Sequence, residues 1–97
     1  YIKFMITSEE IIYKIIKGQE LIIGPIAWEE AKRVGGLHII DENREHLTID
    51  APEKEVMERL VVQYERLFGR ASIEVCRDAV RNLLPDMPPD KIPEVLK

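Results

Sequence analysis

Residues 10–34, EIIYKIIKGQELIIGPIAWEEAKRV, align without a gap on residues 55–79, EVMERLVVQYERLFGRASIEVCRDA, at a constant offset of 45. Four pairs are identical: Glu10/Glu55, Glu20/Glu65, Gly24/Gly69 and Glu29/Glu74. Ile11/Val56, Ile12/Met57, Ile15/Leu60, Ile16/Val61, Ile22/Leu67 and Ile23/Phe68 keep apolar character, and Lys14/Arg59 and Lys32/Arg77 keep charge. A recurring unit sets architecture ahead of any single element. The expectation is a possible internal repeat in which a long helix, a glycine and a shorter helix are used twice.

Caps and punctuation place the elements. Thr7-Ser8-Glu9-Glu10 has the form of a capping box, in which the Thr7 hydroxyl accepts from the third helical amide. The first helix then covers residues 8–23, with Ile12, Ile15, Ile16, Ile22 and Ile23 as its apolar stripe and Ile11 beside it. Gly18 inside it marks a bend or a close approach. Gly24 ends it and Pro25 opens a second helix over residues 25–34, presenting Ala27, Ala31 and Val34, so the first helical unit is 8–34. Residues 37–50 alternate as a hairpin, with Leu37, Ile39, Leu47 and Ile49 inward and a turn within 41–45. Asp50 is expected to cap the third helix, with Glu53 completing a second box. That helix reaches Phe68, with Met57, Leu60, Val61, Tyr64, Leu67 and Phe68 as its stripe. Gly69 ends it, and a fourth helix runs from Arg70 or Ser72 to Leu84, carrying Cys76, Ala79, Val80 and Leu83, which makes 51–84 the second unit. Pro85 opens a proline-rich tail over 85–97 with one short docked turn, and residues 1–6 read as a short strand. The fold class is α+β, mostly α, in a single small domain of 1–97.

Composition narrows the functional classes. An apolar fraction of 45% with 33% charged residues describes a folded chain rather than a disordered one. No apolar run approaches the length of a membrane span, and no signal peptide is visible. The chain begins at Tyr1, which fits a processed form or a domain of a longer protein. Cys76 is the single cysteine, so no intrachain disulfide forms and a reducing, cytoplasmic setting is expected. Glu (13) far outnumbers Asp (5), and there are only two Gln and two Asn, a thermophile-like balance. The net charge of −4 argues against nucleic acid as the main partner.

Each cluster with chemical potential has a plainer reading. Glu20, Glu29, Glu65 and Glu74 suggest a carboxylate-bridged metal pair, yet no Glu-x-x-His accompanies them, and capping charge and surface ion pairs suffice. His38 and His46 with Asp41, Glu42 and Glu45 match no established ligand spacing, so no metal is expected. Cys76 lies on an apolar helical face, where a thiol is inert. No Gly-x-Ser-x-Gly, phosphate loop or dinucleotide fingerprint exists, so no enzyme and no cofactor are expected. Arg70, Arg77 and Arg81 share one stripe of the fourth helix and could hold an anion or an acidic partner, or simply pair with Glu74 and Asp78. Trp28 is a core aromatic or a partner anchor, and Tyr13, on the more polar side of its helix, is a second candidate for an interface.

Residues 22–34, IIGPIAWEEAKRV, resemble short Gly-Pro-Ile-Ala helical segments found beside the catalytic parts of some bacterial signalling kinases and cyclases. The resemblance implies a non-catalytic regulatory module, and the second copy departs from it, reading GRAS at the same place. The expected function is a non-enzymatic helical protein-interaction or regulatory module that self-associates as an isologous homodimer through its two long helices. One alternative is a winged-helix-like nucleic-acid-binding domain over 8–50, with 25–34 as its recognition helix. The other is a small-molecule or anion sensing module.

Overall fold

The computed structural model describes residues 6–41 and 46–97. The strand expected over 1–6 and the hairpin turn therefore lie almost wholly outside the described residues. The element order is α1 (Ser8–Ile23), α2 (Ile26–Ala31), β1 (Leu37–Asp41), β2 (His46–Ile49), α3 (Glu53–Phe68) and α4 (Ala71–Val80). Three single 3-10 turns follow, Leu84–Asp86, Pro89–Lys91 and Glu94–Leu96. The fold is α+β and mostly helical, with four helices and one two-stranded antiparallel hairpin.

The long helices begin differently and end alike. Thr7 Oγ1 accepts from the Glu10 amide at 3.1 Å, as a capping box requires. Asp50 does not cap α3. Its backbone amide closes on Gly36 O at 2.9 Å, its carboxylate meets His38 Nε2 at 2.7 Å, and the cap position is Pro52. The hairpin thus takes the carboxylate that the sequence offered to the helix. At the other ends, Gly24 has φ 77° and ψ −160°, and Gly69 has φ 88° and ψ 178°. Side-chain-bearing residues almost never adopt this region, so each helix stops where its glycine stands. The Gly24 amide donates to Glu20 O at 2.9 Å and the Gly69 amide to Glu65 O at 2.8 Å. The following turns match too, with Ala27 N donating to Gly24 O and Ser72 N to Gly69 O.

The core lies between the long helices. Ile11, Ile12, Ile15 and Ile16 of α1 and Val56, Met57, Leu60, Val61 and Tyr64 of α3 are fully buried within the single chain. Of the two outcomes open to these stripes, packing on each other or on a second chain, the buried part takes the first. The stripes are also shorter than the periodicity predicts. Ile22, Leu67 and Phe68 are exposed, because the last turn of each long helix overhangs a core whose helical contributions end at Gln19 and Tyr64. Across the core, α1 packs most heavily on α4. A Cβ on Gly18 would lie 2.8 Å from Ala79 Cβ, so the close approach expected at Gly18 is real.

Two buried side chains tie the long helices to the short ones, α1 to α4 and α3 to α2. Gln19 Nε2 donates to Ser72 O at 3.0 Å, and Tyr64 OH donates to Ala27 O at 2.6 Å. Gln19 and Tyr64 are 45 positions apart, and so are Ala27 and Ser72.

The remaining differences from the sequence reading are local. Helix α2 ends at Ala31 rather than near Val34, since Arg33 N and Val34 N bond three residues back and tighten the final turn. Helix α4 ends at Val80, not Leu84; Leu83 N donates to Val80 O at 2.8 Å, and Pro85 disfavours helical backbone at the residue before it. The tail forms three proline-led turns rather than one, and Met87, Ile92 and Leu96 are buried by it. The hairpin register pairs Leu37 with Ile49 and Ile39 with Leu47, with an irregularity before Asp41. Leu37 and Leu47 face the core, while His38, Ile40, His46 and Thr48 face out.

Candidate functional site

Among the described residues, the overhang of α1 creates an apolar concavity. Gly18, Leu21 and Ile22 form one wall and Val75, Asp78 and Ala79 of α4 the other, around a groove of about 300 Å³. Leu21 is 86% exposed and Ile22 69%, the two most exposed large apolar side chains among the described residues. Its floor is low because Gly18 and Ala79 are small. Lys14 and Lys17 on α1 lie seven and four residues before Leu21, two turns and one turn back along nearly the same row. Lys17 Nζ meets Glu20 Oε1 at 2.8 Å, which raises the lysine pKa and lowers that of Glu20. Asp78 on the opposite rim meets Arg81 Nη2 at 2.7 Å.

The positions 45 residues away from this groove are filled differently. Gly18, Leu21 and Ile22 correspond to Gln63, Arg66 and Leu67, and Val75, Asp78 and Ala79 to Glu30, Arg33 and Val34. There Arg66 Nη2 donates to Gln63 Oε1 at 2.7 Å and Gln63 Nε2 donates to Glu30 Oε1 at 2.8 Å, bridging α3 to α2. Arg33 Nε adds a longer contact to Glu30 at 4.0 Å. A polar chain spans one side where the other side is an open apolar groove.

The arginines singled out from sequence do share a surface, but two of the three are engaged. Arg77 Nε donates to Val95 O at 2.9 Å, and its Nη1 to Glu74 Oε1 at 2.8 Å, so this side chain holds the tail. Arg81 is held by Asp78. Arg70 lines an open cleft with Ala71, Ile73, Glu74 and Arg77. Arg77 and Arg81 line a neighbouring cleft closed by Leu84, Leu96 and Lys97.

Trp28 is buried at 4% exposure, and its indole Nε1 donates to Glu20 Oε2 at 2.9 Å. Its ring lies 5.8 Å from that of half-buried Tyr13, tilted by 54°. The two aromatics therefore grip each other across α1 and α2, and the Trp28 ring faces the core rather than solvent. Cys76 is buried, accepts from Gln19 Nε2 at 3.2 Å, and has its thiol pKa pushed up to about 11 by burial, opposed by that hydrogen bond. Burial likewise pushes up the Tyr64 hydroxyl. Glu20, Glu29 and Glu74 are each paired locally, with Lys17, Lys32 and Arg77. Among the described residues no three His, Cys, Asp or Glu side chains converge as a metal site would need. Nor is any helix there long and apolar enough to cross a membrane.

The sequence reading missed Leu21 and Gln19. Leu21 carried a signal: it is a large apolar residue on the face that Lys14 and Lys17 mark as polar. Gln19 carried none, since its partner Ser72 is 53 residues away. No protein-family model, curated protein or solved structure matches the chain.

Proposed function

We propose that the chain is a non-enzymatic protein-interaction or regulatory module, and that the α1–α4 groove is its docking surface. The observation that carries this reading is the open apolar wall of Leu21 and Ile22 over the small floor of Gly18 and Ala79. Isolated exposed leucines mean little, but two adjacent large apolar side chains beside a groove form a patch suited to a partner's side chain. Two units related by the 45-residue offset, packed about a quasi-two-fold axis, account for the paired glycine junctions and for the reciprocal Gln19–Ser72 and Tyr64–Ala27 bonds. On that account the groove is where the two units differ most. One unit closes the site with Gln63, Glu30 and Arg66, and the other leaves it open.

The other readings fit less well. As a recognition helix, α2 has six residues and buries Ala27, Trp28, Glu30 and Ala31, which leaves too short a free face for a DNA groove. An anion site on α4 would have to take Arg77 from Val95 and Glu74. Catalysis needs a group poised for proton transfer or attack, and the buried Cys76 thiol is tuned away from both. A single buried thiol accords with a reducing, cytoplasmic setting.

The test is an amide chemical-shift titration of the labelled chain with a synthetic amphipathic Leu/Lys helical peptide, with inorganic phosphate and with duplex DNA. Saturable shifts confined to Gly18, Leu21, Ile22, Val75 and Ala79 with the peptide are expected. Shifts around Arg70 and Arg77 with phosphate, or a salt-dependent response to DNA, and none in the groove, would replace this reading with the anion or nucleic-acid one.

A further inference from the structure

Resting on the docking reading above, we infer that the occupant of the α1–α4 groove is the same groove of a second copy, in an isologous antiparallel dimer. The groove is self-complementary in shape. It places a projecting knob, Leu21, beside a hole floored by Gly18 and Ala79. A two-fold axis crossing α1 between Gly18 and Leu21 sets each Leu21 over the partner's Gly18, which is the reciprocity an isologous contact demands.

Charge selects the same arrangement. Helix α1 carries no basic residue in its last turn, so the negative end of its dipole is uncompensated within its own helix. Lys14 is exposed and has no ion pair among the described residues. It lies four residues before Gly18, and Gly24 lies three after Leu21. In the antiparallel crossing these spans match to within one residue, so each Lys14 stands at the partner's α1 C-terminus, and its long side chain reaches back to the terminal carbonyls. A helix-dipole contact absent from the monomer is thus supplied twice by the dimer. This interface is separate from the buried stripes of α1 and α3, which are spent within the chain.

The patch is small, so the dimer is weak, with a dissociation constant on the order of 10⁻⁴ M. Sedimentation equilibrium of the intact chain from about 20 μM to about 1 mM should show a reversible monomer–dimer exchange across that constant. Leu21→Glu should weaken association about tenfold or more, and Lys14→Glu about threefold, with the latter loss shrinking at high salt. Leu21 and Lys14 are exposed, so circular dichroism should confirm that both variants remain folded. A monomer throughout this range, or a dimer indifferent to Leu21→Glu, overturns the inference. If the chain is monomeric yet the Leu/Lys peptide still shifts the groove amides, the docking reading stands and only the second copy falls. If the peptide has no effect either, both fall.

Discussion

Ser8 Oγ donates to Glu53 Oε2 at 2.8 Å, and the two residues are 45 positions apart, the same offset that aligns the two halves of the sequence. Equivalent positions of two related units can touch each other only beside the axis that relates them. On the proposed repeat, this bond therefore marks the quasi-two-fold axis, at the N-terminal ends of α1 and α3. Ser8→Ala should destabilise by about 1 kcal/mol, the net worth of an ordinary intramolecular hydrogen bond, because the exposed Glu53 carboxylate is solvated in its absence. A double-mutant cycle with Glu53→Ala, read by urea unfolding, should return most of that as coupling; additive losses would show the bond to be incidental.

The two helix junctions supply a sharper test of equivalence. Gly24 and Gly69 share a positive-φ, extended-ψ backbone, and a Cβ at either would meet nothing within 4 Å. The penalty for Gly24→Ala and for Gly69→Ala is therefore backbone strain alone, about 1–3 kcal/mol each. Matched losses that add in the double variant are expected in chemical denaturation. A large loss at one site with none at the other would separate the two junctions.

These junctions were readable from sequence because a glycine after an apolar stripe has a local cause. So were the Thr7 cap, the alternation of the hairpin strands and the Gly18 approach, each written within a few residues. What stayed hidden depends on competition across the fold. Asp50 had a helix to cap and a histidine to meet, and only the folded hairpin shows that His38 prevails. Ile22 and Leu67 obey helical periodicity, but periodicity does not say where the core stops. The same competition decides the site. Trp28, which the sequence offers as either a core aromatic or a partner anchor, packs inward and bonds Glu20, while Leu21, on the polar face of its helix, is exposed.

Gly18 makes a prediction about packing rather than strain. Its missing Cβ is what lets α1 approach α4, since that atom would sit 2.8 Å from Ala79 Cβ. Gly18→Ala gains helix propensity but forces the helices apart, and overpacking of this kind costs about 1–3 kcal/mol. Adding Ala79→Gly removes the clash and should recover part of the loss in thermal unfolding. Stabilisation by Gly18→Ala alone would mean the helices yield freely.

Glu20 couples acid titration to the only tryptophan. Its carboxylate accepts from Lys17 Nζ and from Trp28 Nε1, and the Lys17 bond foremost holds its pKa below the ordinary value near 4.5. With the folded pKa depressed, the stabilisation is present above the unfolded value and is lost as pH falls through the folded one. Trp28 emission should thus stay constant down to about pH 4.5 and change below it. Glu20→Gln keeps an acceptor for the indole but cannot titrate, so it should flatten that step; an unchanged step would place the titrating group elsewhere.

At alkaline pH the sign reverses, because burial raises rather than lowers the relevant pKa values. The Cys76 thiol moves from an ordinary 9.0 to about 11, and burial also raises the Tyr64 hydroxyl above its ordinary 10.0. The unfolded chain therefore releases these protons first, and stability falls as pH rises above 9, first through Cys76 and then through Tyr64 as well. The thiol alone contributes a loss on the order of 2 kcal/mol by pH 11. Unfolding midpoints should decline over this range, and Cys76→Ala should remove the part that begins near pH 9 while lowering overall stability through the cavity it leaves. Because only the thiolate attacks, iodoacetamide at about pH 8 should leave the native thiol intact and label it quickly in urea. Rapid labelling of the native chain would mean that the α1–α4 contact opens readily, and that Gln19 does not keep Cys76 sealed against Ser72.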